Sequence, residues 1–271
     1  MDVHQSYDGV IPKLHRVFFQ DPPLSYHVQG DSVVGELQID DTLRAPESWR
    51  IRSSVLAAVG DQVTGILAAQ RTDPATALTS DLALVTADDM IATARRTERF
   101  SVTSQILKAG RSLIVCECRF GNAGAEGPLA ICEATFVASP RGQDLTALPS
   151  LYQSSRPRAH RLPFERQLGA RIVAAGMAEV DLVPYVLQST GALQGGVLAL
   201  LAELAAESLT GRLVTDLHVR YLRALRVGPA RATAQRFGRY AALVEVRDAD
   251  GRVTTVVIAR TEGPSINSLR P

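Results

Sequence analysis

The chain has 271 residues, of which 46% are hydrophobic and 21% charged, and its net charge is +1. This composition belongs to an ordered globular protein rather than a disordered one, and the near-neutral charge gives no support for a nucleic-acid surface. The length accommodates two domains of ordinary size, while no apolar run reaches the ~18 residues of a membrane span. Met1-Asp2-Val3-His4-Gln5 lacks the basic-then-apolar order of a signal peptide, so the expected location is the cytoplasm, away from any membrane. Cys116, Cys118 and Cys132 fall in strand-like runs without metal spacing and read as reduced core cysteines.

Residues 1 to about 30 are poorly patterned, with Pro22-Pro23 as a break, and read as a lead-in. Val33, Gly35, Leu37 and Ile39 alternate with more polar neighbours, which predicts a strand, and Pro46-Glu47-Ser48 offers a turn before a helix from Ser53 to about Ala69. Strand-like runs follow over Asp81 to Val85, Phe100 to Leu107, Ser112 to Phe120 and Pro128 to Ala138, suggesting an antiparallel meander. Residues 139–165 carry Pro140, Pro149, Pro157 and Pro163 and form the expected linker. Its cations Arg156, Arg158, His160 and Arg161, with Arg166, read as a solvated connector in preference to the alternative, a phosphate-binding patch.

The second half repeats the order. Ala170 to Ala175 and Met177 to Val183 are strand-like, Gln188 to Leu193 is a loop, and a helix is expected from Gln194 to about Leu209. Strands follow over Thr215 to Leu225, Ala230 to Phe237, Tyr240 to Asp248 and Arg252 to Thr261. Gly195 to Glu203 aligns without a gap on Ser53 to Asp61: a small pair, an apolar run, and an acid at the same place. Lys108-Ala109-Gly110-Arg111 with Glu117 matches Arg236-Phe237-Gly238-Arg239 with Glu245, and Gly35 to Ile39 resembles Ala178 to Leu182. Matches before, within and after the helix, in one order, indicate duplication of a whole domain. The expected units are 1–138 and 166–271, each an α+β domain with one buried helix wrapped by a curved antiparallel sheet. Joining the sheets edge to edge would bury otherwise exposed edge strands. A lone carboxylate within an apolar helix, as at Glu203, is costly unless paired, hydrated or neutralised.

The stretch Gln188-Ser189-Thr190-Gly191-Ala192-Leu193-Gln194-Gly195-Gly196, with Glu203 nine residues after Gln194, resembles the phenylacetate-pathway (PaaI-type) branch of the hotdog-fold acyl-CoA thioesterases. Nearly the whole chain is covered, as two hotdogs in tandem, a double hotdog. The resemblance implies that Gln188 takes the position of the family's Asn or Gln, that the Gly195 N–H polarises the thioester carbonyl, and that Asp61 and Glu203 take the acid position. Pairing of the halves like a family dimer would bring Asp61 to Gln188, Gln194 and Gly195, and Glu203 to the start of the first helix. Two departures stand out. Gln194 replaces the family's His, and the first half has Arg52-Ser53-Ser54 for His-Gly-Gly, with Ala45-Pro46 near the amide position. The Asp61 site is therefore expected to work, and the Glu203 site to be degenerate or devoted to binding.

The chemistry implied is hydrolysis of an acyl-CoA or acyl-carrier-protein thioester, with no metal or organic cofactor. A helix-start N–H stabilises the developing oxyanion without reorganising, and a carboxylate serves as general base or nucleophile. Gly196, Arg220 and Arg239 are further substrate-binding candidates, the arginines for phosphates, together with Arg95, Arg96, Arg99, Arg223 and Arg226. The rival readings are a non-catalytic acyl-thioester binding protein and another hotdog enzyme, hydratase-like or biosynthetic. No Asp-to-His dyad stands in either helix region, which weighs against dehydration. The halves are expected to form an intrachain pseudo-dimer, with a homo-oligomer left open.

Overall fold

The computed structural model describes residues 24–46, 48–73, 75–87, 90, 97–122, 127–139, 162–188 and 190–262. The N-terminal lead-in through Pro23, the connector's Pro140, Pro149 and Pro157 with Arg156, Arg158, His160 and Arg161, Arg95 and Arg96, and the tail from Gly263 lie outside them.

The first half runs β1 (Leu24–Gln29), β2 (Ser32–Gln38), helix α1 (Ser53–Thr72), β3 (Thr76–Thr86), β4 (Arg99–Ala109), β5 (Leu113–Gly121) and β6 (Ala130–Ser139). The second half begins with a short helical turn, Phe164–Gln167. It continues through β7 (Arg171–Ala174), β8 (Met177–Val180), helix α2 (Gly195–Thr210), β9 (Val214–Tyr221), β10 (Ala230–Arg236), β11 (Ala241–Arg247) and β12 (Val253–Thr261). The twelve strands described form one sheet, ordered β1-β2-β4-β5-β6-β3-β9-β12-β11-β10-β8-β7, with each neighbouring pair antiparallel. Read inward from either edge, the two halves have the same order. They meet where β3 pairs with β9, Asp81 opposite Arg220 and Leu84 opposite Leu217.

Three expectations are corrected. The strand after the first helix does not start a meander: β3 pairs with β6 and β9, because β4 is taken up by β2. Leu24–Gln29, within the expected lead-in, is an edge strand, held by backbone pairing to β2 that its mixed side chains do not advertise. The fold resumes before residue 166, since Phe164 and Leu168 enter the core behind Pro163, a residue suited to a helix start.

Both long helices are buried on nearly every side because each is packed between its half-sheet and the other helix. Strand alternation supplies the floor: Leu82 and Leu84, Phe100 and Val102, Cys116, Cys118 and Phe120, Leu217 and Val219 all point inward. The three cysteines are buried free thiols. At Gly60 of α1 a Cβ would lie 2.5 Å from the Cys132 sulfur, so glycine lets the helix settle onto β6. The helices run in opposite directions with their N-terminal halves overlapping, which sets the ninth residue of each against the start of the other.

Candidate active site

Asp61 is the ninth residue of α1 and faces the start of α2. It is 8% exposed, and its Oδ1 accepts a hydrogen bond of 2.7 Å from the Thr79 hydroxyl on β3. Burial pushes the Asp61 carboxyl up to about 6, against the pull of the Thr79 hydrogen bond. Oδ2 points at Gly195: a Cβ there would lie 3.0 Å from it and 2.9 Å from the Tyr221 hydroxyl. Any side chain at Gly195 would therefore fill the space between the acid and the helix start.

The first N–H groups of a helix have no partner within it. Among the described residues, neither the Gly195 nor the Gly196 N–H is hydrogen-bonded, and Gln194 makes no side-chain cap. Both polar atoms of the fully buried Gln194 side chain lack partners, as does the buried Tyr221 hydroxyl. Burial raises the Tyr221 phenol well above its ordinary value, leaving it a protonated donor. Each orphaned group costs about 1–3 kcal/mol. The Asp61 site thus gathers helix-start donors, a phenol and a carboxylate with one free oxygen.

The counterpart site is closed upon itself. Glu203 Oε1 accepts from the Ser53 N–H at 2.9 Å, and Oε2 accepts from the Ser54 N–H at 3.3 Å and from the Ser54 hydroxyl. The Ser53 hydroxyl donates to the Val214 carbonyl at 2.9 Å. Arg52, 2% exposed, lies 3.9 Å from Glu203 and donates to Glu165 and Glu207, each at 3.1 Å. Burial, and next the Glu203 charge, hold the Glu207 carboxyl above the ordinary range. Beyond Arg52 lies a cavity of about 570 Å³ whose walls include Glu165, Leu204, Glu207 and Arg212 but not Ser53, Ser54 or Glu203.

The structure brings Asp61 to Gly195, with Gln194 and Gly196 beside it in the chain, and brings Glu203 to Ser53 and Ser54. Gln188 lies in the preceding loop, where its N–H bonds the Ala192 carbonyl and its carbonyl accepts from Gly191; its side chain is half-buried. Arg220 is on the opposite sheet face from Tyr221, 3.7 Å from Asp81, which also bonds His218. Arg239 stacks over Tyr240 in the turn between β10 and β11. Among the described residues no cluster of three or more His, Cys, Asp or Glu is placed to hold a metal, and no helix is long and apolar enough to cross a membrane.

Thr79 and Tyr221 were not among the residues singled out from sequence. Tyr221 continues the inward alternation of Leu217 and Val219, the one signal that could have found it. Thr79 gave none, because a bulge between Thr79 and Asp81 reverses the parity of β3.

One sheet wrapping two antiparallel helices, each half repeating the other, defines the double hotdog fold. No protein-family model and no curated protein matches the sequence. Among solved structures, the chain is similar to an acyl-ACP thioesterase from Bacteroides thetaiotaomicron, with 13% identity, 86% of this chain and 98% of that one covered, and a TM-score of 0.59. It is also similar to the 12:0-ACP thioesterase from Umbellularia californica, at 9% identity over 87% of this chain and 99% of that one, TM-score 0.54. A third is a conserved hot dog fold protein of unknown function from Alicyclobacillus acidocaldarius, at 11% identity over 91% and 98%, TM-score 0.53. At such identities the likeness shows the fold.

Proposed function

We propose that this protein is an acyl thioesterase that hydrolyses an acyl-CoA or acyl-carrier-protein thioester at the composite site between Asp61 and the start of α2. The observation that carries this reading is the unbonded Gly195 and Gly196 helix start facing a buried carboxylate. The two units are joined by the stretch that carries Pro140, Pro149 and Pro157, and the protein works in the cytoplasm, where its three thiols stay reduced. The glycine pair and the acid in register support kinship with the PaaI-type branch.

The thioester carbonyl oxygen sits at the Gly195 N–H, where the helix dipole favours the negative charge that develops on attack. Asp61 is mostly ionised at neutral pH, since its carboxyl is raised only to about 6. With Oδ1 tied to Thr79, Oδ2 takes a proton from water as the water oxygen bonds to the carbonyl carbon. The C–S bond then breaks, and the proton held by Asp61 passes to the departing thiolate. Gln194, and Gln188 from its loop, supply amides to orient the substrate.

The test is release of free thiol from hexanoyl-, lauroyl- and benzoyl-CoA and from carrier protein bearing the same acyl groups, with wild type beside Asp61→Asn. Release by wild type and its loss in Asp61→Asn are expected. Binding of acyl-CoA without release from any substrate would make the protein an acyl-thioester binding protein instead.

A further inference from the structure

The register of the sheet lets the halves be laid over one another residue by residue. Glu117 on β5 pairs with Glu133 on β6, and Glu133 with Ala83 on β3. Their counterparts Glu245, Val256 and Arg220 pair in the same order across β11, β12 and β9. Ala83 thus corresponds to Arg220, and the next residues correspond as well: Leu84 to Tyr221. Three residues along β6 and β12, Phe136 pairs with Thr79 and Ala259 with Leu217, so Thr79 corresponds to Leu217. At the closed site both positions are leucine, fully or almost fully buried. At the Asp61 site they are the hydroxyl residues Thr79 and Tyr221.

Thr79 is bonded to Asp61, whereas the Tyr221 hydroxyl is buried without a partner. Its oxygen and Asp61 Oδ2 both lie within 3.0 Å of the point a Gly195 side chain would occupy. The fold packs with leucine at the counterpart, so it does not require a phenol there. A buried donor with no acceptor, aimed at the first residue of a helix whose N–H groups are also unbonded, fits a ligand oxygen that lies between them.

Resting on the thioesterase reading, we infer that Tyr221 is a catalytic residue, its hydroxyl the second donor to the thioester carbonyl oxygen beside the Gly195 N–H. As the water oxygen bonds to the carbonyl carbon, the C=O electron pair moves onto that oxygen and both hydrogen bonds strengthen. On collapse the pair returns, the C–S bond breaks, and the thiolate takes the proton Asp61 removed from water. Tyr221 donates throughout and transfers no proton. Burial keeps it protonated, and likewise Cys132, the thiol on β6 whose ionisation the Asp61 charge opposes.

The experiment compares wild type, Asp61→Asn, Tyr221→Phe and Tyr221→Leu on the CoA and carrier-protein thioesters above, across pH 4 to 9. The leucine variant installs the residue that the counterpart position carries. Both Tyr221 variants are expected to lower kcat by about 10²-fold, as for loss of one oxyanion donor. KM should stay within about twofold, and the acidic limb of the profile should not move. Unchanged kcat in Tyr221→Phe, with release abolished in Asp61→Asn, overturns this inference alone. An unchanged plateau with the acidic limb shifted to higher pH also overturns it, since the phenol would then serve the Asp61 carboxylate. No thiol release by wild type overturns the thioesterase reading and this inference with it.

Discussion

At the Glu203 end of the helix pair a carboxylate reaches across and takes up both N–H groups of the opposing helix start; at the Asp61 end the carboxylate stops short of them. The backbone arrangement is the same at both ends, and the acids occupy equivalent ninth positions. One methylene separates them in length. Glutamate is long enough to cap the neighbouring helix from outside, supplying the oxygen that Arg52 as N-cap residue cannot. Aspartate, drawn towards Thr79, leaves the helix start open. Serines at positions 53 and 54 complete the closure with hydroxyl bonds, and glycines at 195 and 196 keep the other end clear. Two like halves thus carry one helix start closed by a clasp from the other half and one left open, the latter at a cost in unsatisfied polar groups.

The largest effect expected from breaking this comparison is at Asp61. Asp61→Asn should reduce thiol release by about 10³-fold, the worth of a general base, while raising Tm at pH 8 because a buried charge is removed. Steady-state kinetics and a thermal melt on the same preparation read both; a drop in both would mean the carboxylate is structural. Next comes the clasp. Glu203→Ala leaves two buried N–H groups without their acceptor and should cost roughly 3–5 kcal/mol in urea unfolding. Thiol release per folded molecule should change less than about twofold, and a collapse of kcat would place catalysis at that end as well.

Converting one end towards the other sharpens the point. Asp61→Glu adds the methylene that lets Glu203 reach its helix, so it should cap Gly195 and Gly196, lower kcat by about 10²-fold and raise stability by about 1 kcal/mol. Retained activity would show that chain length does not separate the two sites. The smallest effect is the pH dependence. Release should fall about tenfold per unit below pH 6, as the base becomes protonated. Stability runs the other way: a carboxyl raised in the folded state contributes stability fully present below its unfolded value and lost as pH rises through about 6. Between pH 5 and pH 8 the Asp61 share is about 1.4 kcal/mol, readable as about 4 °C of the fall in Tm, a share that Asp61→Asn removes. Glu207 acts in the same direction, so part of the fall remains in that variant.

Much of this architecture was legible in the residues. The gapless match of Ser53 to Asp61 with Gly195 to Glu203 announced two helices in one environment, and both begin at the matched residue. The four strands after the second helix stand close to where alternation put them, because inward apolar and outward polar residues follow the pleat. The pairing of β3 with β6 and β9 was not legible, since periodicity reports which face of a strand is buried and not which strand lies beside it. Thr79 was hidden by the bulge at Ser80, and Tyr221 looked like one more apolar position on β9.

By itself the sequence determined the duplication, the order of helix and strands in each half, the acid at the ninth helical position, and the loss of glycine from one helix start. These are local properties, written in spacing and side-chain type. Only the tertiary structure decided that Glu203 caps the opposing helix while Asp61 does not, and that Thr79 and Tyr221 join one site while Leu217 and Leu84 take their places at the other. Those outcomes depend on the antiparallel overlap of two distant helices, the register across a central strand pair, and the reach of a single methylene.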